Sequence, residues 1–177
     1  MANKMIEQLP KEDLLQIIDM YSKNWLAMDG VWFQSIEKKF GMDEAIHHDE
    51  NAWRVYTVVE ANRIKEFLGL PEQAGIEGLR QALGLRMYAN INDDEIIVDG
   101  NTLVYRTLDC RVQNARKRKG MPFHPCKSVG IIEYTYFAKA IDNRFECEAL
   151  SCYPEITDES CNCSWKFTLM EDDKNKE

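Results

Sequence analysis

The apolar positions in the first half of the chain recur at the spacing of amphipathic helices. Between Lys11 and Gly84 they are separated mostly by three or four residues. The first stripe consists of Leu14, Ile18, Tyr21, Trp25 and Met28. Asp29 and Gly30 interrupt this stripe, so we expect a separate short helix to follow and to end at Gly41, which is a suitable C-cap.

Two further helices are predicted in the same half. A long helix begins near Asp43, an N-capping residue, and ends at Gly69, because Pro71 cannot continue it. A weaker helix follows at residues 76–83. None of these helices can bury its apolar stripe alone, so they must pack on one another or on a sheet.

The second half of the chain has the pattern of strands. Residues 95–98 and 102–106 are apolar runs that flank an Asp-Gly turn, which is typical of a hairpin. Residues 111–125 are polar and basic and contain two prolines, which indicates a loop or a frayed helix. A helix is expected at 128–140, although its aromatic residues would also suit a strand.

Two closing strands, 145–152 and 163–169, complete the pattern. The predicted fold class is α+β: N-terminal helices packed on a four-stranded antiparallel sheet with one inserted helix, in the order ββαββ. Residues 1–90 form the helical region and 91–170 the cysteine-bearing sheet region of one compact domain. The charged tail, 171–177, is predicted to be disordered.

Composition narrows the functional classes. The 22 Lys and Arg residues against 30 Asp and Glu residues give a net charge of -8, which argues against direct nucleic-acid binding. An apolar content of 45% supports a real core, yet no apolar run approaches the roughly 20 residues of a membrane span. Residues 1–10 lack the pattern of a secretion signal. We therefore expect a cytoplasmic protein without a membrane partner.

All six cysteines lie after residue 109. They are Cys110, Cys126, Cys147, Cys152, Cys161 and Cys163. Stable disulfides are rare in the reducing cytoplasm, so these residues indicate metal ligation, redox chemistry or simple burial as small apolar side chains.

The spacing of four cysteines suggests a metal site. If the last two strands form a hairpin, Cys152 faces Cys161 and Cys163 at its mouth. Cys126 precedes the predicted inserted helix, whose dipole favours a thiolate there. Three thiolates converging at one end of the sheet would suit tetrahedral zinc.

The fourth zinc ligand is open among Cys147, Glu148 and a water molecule. Alternation along the strand places Glu148 on the face of Cys152 and Cys147 on the other face, and a bulge would reverse that choice. Two alternatives remain beside zinc: buried structural thiols, and a redox or catalytic thiol. His124 could act as a ligand or a base beside Cys126, although loop histidines usually have no chemical role.

Residues 103–169 contain Cys110, a Cys126-x25-Cys152 spacing and the ending Cys-x-Cys-x-Trp-x-Phe. In these features the segment resembles the 4-vinyl reductase-like domain, whose superfamily includes bacterial phenol-sensing regulatory domains and Golgi-transport subunits. In the phenol sensors, cysteines and a glutamate hold a structural zinc beside a small-molecule pocket. The resemblance implies as zinc ligands Cys126, Cys152 and either Cys161 or Cys163. Glu148 lies one position too early to match the glutamate of that domain.

A second resemblance covers nearly the whole chain. The residues that carry it are Trp32-Phe33, Glu37, Phe40-Gly41, the spaced Ala45 and Trp53, and the stretch from Cys110 through Phe167. In these residues the chain resembles a family of bacterial and archaeal proteins that are similar to the L-2-amino-thiazoline-4-carboxylate hydrolase-like family. That resemblance implies helices followed by a cysteine-bearing sheet.

The leading hypothesis is a sensor-like protein that binds a small molecule and is braced by a cysteine-rich zinc site. The candidate ligand-binding residues are Trp32, Trp53, Tyr56, Arg111 and Arg116. Aromatic helices over a sheet commonly line such pockets, and arginines bind carboxylates or phosphates. The sequence contains no recognisable DNA-binding or ATPase motif, so output would pass through a partner protein or a homodimer.

The alternative hypothesis is a hydrolase of a small cyclic C–N or C–S substrate. A thiolate, Cys110 or Cys126, would be the nucleophile, or zinc-bound water would attack. Arg111 or Arg116 would hold a carboxylate of the substrate. A third class is an interaction protein whose thiols are only buried.

Overall fold

The computed structural model describes residues 3–171. Helices come first in the chain, and the strands lie in its C-terminal half. The elements are α1 Lys4–Glu7, α2 Lys11–Phe40, α3 Met42–Leu68, α4 Gly75–Gly84, a 3₁₀ turn Met87–Asn90, β1 Asp93–Asp99, β2 Thr102–Asp109, α5 Arg111–Arg118, α6 Lys127–Ile141, β3 Phe145–Cys152 and β4 Cys163–Leu169. The predicted disordered tail lies outside the described residues, except for Glu171.

The four strands form one antiparallel sheet in the order β1-β2-β4-β3. The predicted α+β fold with a four-stranded antiparallel sheet is therefore confirmed. The single inserted helix is wrong, because α5 and α6 both lie between β2 and β3. Residues 111–118 are helical because Arg, Gln, Ala and Lys are good helix formers and the first proline comes only at Pro122.

The predicted break at Asp29 and Gly30 is also wrong. The helix α2 continues through both residues as far as Phe40. One glycine inside a helix costs only about 1 kcal/mol, which packing of a long helix readily outweighs. The predicted end at Gly69 is confirmed: this residue has the left-handed backbone conformation, with φ of 63°.

The helices are stacked in layers on the sheet. The helix α6 packs on β3, α3 packs on α6, and α2 packs on α3. The main helical contact with the sheet thus comes from α6 rather than from the long N-terminal helices. Gly130 permits this contact, because a Cβ atom there would lie 2.5 Å from Cζ2 of Trp165 on β4. The core that results includes Leu103, Phe137 and Phe167, all fully buried.

A bulge decides which side chains of β3 face the helices. The register of β3 against β4 shifts between Ala149 and Ser151. Cys147, Ala149 and Cys152 therefore all pack with the core, whereas Glu148 is bonded by Lys166 on the exposed side. The strict alternation that placed Glu148 on the face of Cys152 is wrong, and the bulged alternative is the one found.

The helices carry no membrane span. Within residues 3–171, no helix combines the length and the apolar character needed to cross a membrane.

Candidate functional site

A cavity of about 160 Å³ lies between the helical layers and one end of the sheet. Aromatic and aliphatic side chains form most of its wall, including Phe33, Trp53, Val129 and Trp165. Four of the six cysteines also line it, namely Cys110, Cys126, Cys152 and Cys163. We call this space the cysteine cavity. An apolar cavity of roughly 150 Å³ can hold a molecule the size of benzene, so the space suits a small ligand.

Strand order brings these four thiols together. The strands β2, β4 and β3 are neighbours and antiparallel, so the last residues of β2 and β3 lie beside the first residue of β4 at one end of the sheet. Cys152 ends β3 and Cys163 begins β4, directly opposite in the register. Cys110 follows β2 and caps α5, and Cys126 caps α6. Chain separation is therefore no guide to which cysteines are neighbours.

Cys126 and Cys152 are in direct contact, with 3.5 Å between their Sγ atoms. Gln113 Nε2 approaches the Cys126 sulfur at 3.7 Å, and Trp165 Nε1 donates a hydrogen bond to Cys163 Sγ at 3.3 Å. Across the described part of the chain, no group of three or more His, Cys, Asp or Glu side chains is arranged to hold a metal ion. The zinc prediction gains no support from this geometry and stays a prediction.

His124 lies beside the thiols in a fixed position. Its backbone N–H donates to Gln113 Oε1 at 3.0 Å, and its carbonyl accepts from Gln113 Nε2 at 2.9 Å. Its Nε2 atom lies 3.4 Å from Asp49 Oδ2, and its ring packs on Phe33. The other ring nitrogen, Nδ1, has no hydrogen-bond partner among residues 3–171. A carboxylate thus orients the imidazole and leaves one ring nitrogen available for chemistry.

The electrostatics distinguish Cys126 from three other thiols. The hydrogen bond with the Cys152 thiol lowers the pKa of Cys126, burial opposes this effect, and His124 lowers the pKa further. For Cys152, the same hydrogen bond raises the pKa. Burial raises the pKa of Cys110 to about 12 and that of Cys147 to about 12. Cys126 is therefore the better nucleophile by the ordinary rule for thiolates.

The charge on His124 complements this thiolate. Burial disfavours the imidazolium, but the Asp49 carboxylate and the Cys126 sulfur outweigh burial and raise the pKa of His124 to about 9. At neutral pH the pair is thus an anion next to a cation, as in enzymes with an activated cysteine.

Two further carboxyl groups line the cavity. Burial, together with the charge of Asp49, raises the pKa of Asp29 to about 6. Burial likewise raises the pKa of Glu133 to about 7, although its neighbour Arg86 acts in the opposite direction. Glu133 Oε1 accepts a hydrogen bond from Arg86 Nη2 at 2.6 Å.

The match to a family extends over this whole arrangement, from residue 7 to residue 169. The chain belongs to the family of unknown function DUF6125. No curated protein and no solved structure matches it. The resemblances to 4-vinyl reductase-like domains and to the thiazoline-carboxylate hydrolase-like family stay predictions.

This DUF6125 protein separates the predicted metal ligands into two sets. Cys126, Cys152 and Cys163 line the cysteine cavity. The other three lie elsewhere: Cys161 lies beside Asp158, and Cys147 and Glu148 line a second, open groove, where Glu148 accepts a hydrogen bond from Lys166. The bulge in β3 and the start of β4 only at Cys163 produce this separation.

The predicted ligand-binding arginines of this DUF6125 protein differ in availability. Arg116 is buried, and its guanidinium donates to both carboxylate oxygens of Glu37, at 2.8 and 2.7 Å, and to the Pro122 carbonyl. It therefore fastens α5 to α2 and has little capacity for a ligand. Arg111 lines the cavity half-buried, and its guanidinium makes no ion pair with any described residue.

The three predicted aromatic residues also have different positions. Trp53 lines the cavity. Tyr56 packs behind it, stacked on Trp25 with 5.4 Å between ring centroids. Trp32 is 64% exposed and is not part of the cavity wall.

Several site residues of the DUF6125 chain were missed from the sequence. Asp49 belongs to a run of charged residues and histidines on α3, which has the pattern of a solvated helix face. Asp29 precedes Gly30 in a pair that is typical of a helix break. Glu133 could have been found from the sequence. It is a single charge in an apolar and aromatic stretch of α6, a pattern that indicates a buried carboxyl group.

Proposed function

We propose that this protein binds a small, mainly apolar molecule in the cysteine cavity and that the Cys126 thiolate attacks it as a nucleophile. One observation carries the proposal: Cys126, His124 and Asp49 line the same cavity, with Asp49 3.4 Å from the imidazole. A thiol, an imidazole and an orienting carboxylate are the parts of a cysteine nucleophile with its acid–base partner.

The chemistry that follows is hydrolysis of a small cyclic C–N or C–S substrate. Sγ of Cys126 bonds to the electrophilic carbon, the C–N or C–S bond breaks, and His124 gives its proton to the departing atom. Water then attacks the thioester-like carbon and transfers a proton to His124, and Cys126 leaves as a thiolate. Asp49 orients the imidazole throughout, and no atom outside substrate, water and these residues is needed.

The wall of the cavity supports a substrate with an apolar body and one carboxylate. Phe33, Trp53 and Val129 offer apolar contact, which favours a small ring or chain. Of the two predicted arginines, Arg116 is already bonded to Glu37, whereas Arg111 makes no ion pair within residues 3–171, so Arg111 would bind the carboxylate.

A zinc-braced sensor is the second candidate, since Cys126, Cys152 and Cys163 do lie at one end of the sheet. The other predicted ligands lie elsewhere, so these three would need a fourth group and some rearrangement to coordinate an ion. Elemental analysis of protein purified without a metal-affinity tag separates the two candidates. About one zinc per chain with protected thiols would support the sensor. Metal-free protein with a reactive Cys126 would support the nucleophile.

The first test of the nucleophile is alkylation of the folded protein with iodoacetamide, with each cysteine quantified by peptide mass spectrometry. At pH 7 we expect Cys126 to react at least about tenfold faster than Cys110, because it is the better thiolate. Asp49→Asn should lower the alkylation rate of Cys126, because it removes the carboxylate that favours the imidazolium form of His124. Equal slow labelling of both cysteines would contradict the proposal.

The second test is turnover. Small cyclic amidines, thiazolines and thiolactones, each with and without a carboxylate, are offered to the wild type and to variants. Cys126→Ser should abolish hydrolysis, whereas Cys147→Ser, a matched control outside the cavity, should leave it unchanged. Arg111→Met should raise KM for the carboxylates only. Hydrolysis that survives in Cys126→Ser would assign the chemistry to another group.

A further inference from the structure

In the proposed hydrolysis Cys152 supplies a hydrogen bond to the Cys126 sulfur but forms no bond to the substrate. The hydrogen bond between the two thiols holds Sγ of Cys126 and Sγ of Cys152 3.5 Å apart. Formation of an S–S bond of about 2.05 Å would require the two atoms to approach by roughly 1.5 Å. Both residues lie at the ends of their elements, where a loop adjoins: Cys126 caps α6, and Cys152 is the last residue of β3. Such positions adjust more easily than the middle of a helix or strand.

We propose that Cys126 and Cys152 are the peroxidatic and resolving thiols of a couple that reduces small apolar hydroperoxides within the cysteine cavity. This inference rests on the proposed function for the reactive Cys126, and it adds a second activity that needs Cys152. Cys163 lies opposite Cys152 in the sheet, but the sulfur in contact with Cys126 Sγ, at 3.5 Å, is that of Cys152, whereas Cys163 Sγ accepts the Trp165 indole hydrogen bond, so Cys152 is the resolving partner.

The first step is attack of the Cys126 thiolate on the outer oxygen of a hydroperoxide. The S–O bond forms and the O–O bond breaks, so the sulfur is oxidised to a sulfenic acid while the peroxide is reduced. The alkoxide that departs takes a proton from the His124 imidazolium and leaves as an alcohol. Nδ1 of His124, which has no hydrogen-bond partner in the described part of the chain, is the nitrogen available for this transfer.

The second step closes the disulfide. Cys152 transfers its proton to the neutral imidazole and attacks the Cys126 sulfur, so that an S–S bond forms and the S–O bond breaks. The hydroxide takes the proton back from the imidazole and departs as water. An external dithiol then reduces the disulfide by thiol–disulfide exchange, which supplies two electrons for each peroxide consumed. The net reaction converts hydroperoxide and dithiol to alcohol, water and disulfide.

The cavity favours an organic peroxide over hydrogen peroxide. Its wall includes Phe33, Val129 and Trp165, which offer apolar contact to an alkyl or aryl group. The substrate class is therefore a small alkyl or aryl hydroperoxide that fits within about 160 Å³.

The decisive experiment uses the wild-type full chain, reduced with dithiothreitol, freed of it and treated with one equivalent of tert-butyl hydroperoxide. We expect loss of two titratable thiols per chain and, in non-reducing peptide maps, one new cross-link between Cys126 and Cys152. With excess dithiothreitol, peroxide should be consumed catalytically. Retention of all six thiols, or a cross-link between another pair, would overturn the proposal.

Variants separate this activity from hydrolysis. Cys152→Ser should form no disulfide but should accumulate a sulfenic acid at Cys126, which dimedone traps, and its Cys126 should still be alkylated by iodoacetamide. Cys147→Ser, which lies outside the cavity, should behave as the wild type. If Cys126 is alkylated rapidly but gives no dimedone adduct or disulfide, the redox couple alone is refuted. If Cys126 is unreactive towards both reagents, the proposed nucleophile is refuted as well.

Discussion

Arg86 Nη2 donates a hydrogen bond to Glu133 Oε1 over 2.6 Å, and the guanidinium is fully buried. Its Nε donates to Glu60 Oε2 at 2.9 Å, so one cation joins α3 and α6 to the segment before the 3₁₀ turn. The guanidinium also lies over the ring of Phe137. Since Glu133 lines the cysteine cavity, this ion cluster fixes one wall of the site. Because all charges of this cluster are buried, removal of any one of its side chains leaves another buried charge without its counter-ion.

Arg86→Met should therefore be strongly destabilising. It leaves two carboxylates buried without their cation, and we expect a loss of about 3–5 kcal/mol in the free energy of unfolding. Arg80→Met is the matched control, because Arg80 pairs with Glu77 on the surface, where solvent screens the pair, and its loss should barely change stability. Urea denaturation measures both, and equal stability of the two variants would contradict the role of the cluster.

The raised pKa of Glu133 predicts how stability depends on pH. Burial raises it from 4.5 to about 7, so the folded state holds this proton more tightly than the unfolded chain does. The resulting stabilisation is complete below pH 4.5 and is lost as pH rises through 7, a decrease on the order of 3 kcal/mol. The Glu133→Gln variant should lack this pH-dependent part of the stability, because glutamine does not titrate.

Urea denaturation of the wild type and of Glu133→Gln between pH 5 and pH 8 tests this expectation. The difference between their free energies of unfolding should change by about 2–3 kcal/mol across that range, with the wild type losing more. Asp29 and His124 also have raised pKa values, but they are common to both proteins and cancel in the difference. Parallel curves would show that Glu133 titrates normally.

The close contact between α6 and β4 predicts a clear effect of adding one methyl group. In Gly130→Ala, the new Cβ would lie 2.5 and 2.6 Å from two ring atoms of Trp165, so either the indole or the helix must move. We expect a loss of about 1–3 kcal/mol. Gly84→Ala, where no atom lies within 4 Å, should be neutral or slightly stabilising. Thermal unfolding followed by circular dichroism compares them, and equal melting temperatures would contradict the contact.

Gln113 is predicted to be a positioning residue for His124. Its side-chain amide bonds both backbone groups of His124, at 2.9 and 3.0 Å. Gln113→Ala should leave these groups without partners, cost about 1–3 kcal/mol and lower the alkylation rate of Cys126. Asn114→Ala is the control, because Asn114 bonds the exposed Asp109 carboxylate instead.

The pH profile of alkylation distinguishes positioning from simple destabilisation. If Gln113 holds His124 near the thiolate, the pH at which Cys126 becomes reactive should rise in Gln113→Ala and stay unchanged in Asn114→Ala. A slower rate with an unshifted profile would mean that Gln113 only stabilises the loop.

The local pattern of apolar and polar residues was sufficient to predict most of the helices and strands. The hairpin at residues 93–109, the helix over 127–141 and the two closing strands form where their apolar periodicity predicts them. The helix end at Gly69 follows from one residue that tolerates a left-handed conformation. The prediction of a break at Gly30 is wrong, because the cost of about 1 kcal/mol for a glycine in a helix is small beside the packing free energy of a 30-residue helix.

The candidate site required more than pattern. The sequence marked the cysteines as chemically suggestive, but not which of them meet. The strand order places the end of β2 beside the start of β4, and the bulge in β3 turns Cys152 towards the cavity. Asp49 reaches His124 from a helix 75 positions earlier in the chain, so no local motif could connect them.

The sequence by itself thus determined the four strands, most of the helices and the α+β class, because these depend on interactions between residues close in the chain. It did not determine that α2 continues through Gly30 or that residues 111–118 form the helix α5. Only the tertiary structure decided that Cys126 contacts Cys152, that Arg116 is bonded to Glu37 and that Arg111 has no such partner among the described residues. Those relationships depend on packing between distant segments, where a one-residue bulge or a change in strand order moves a side chain from one face to the other.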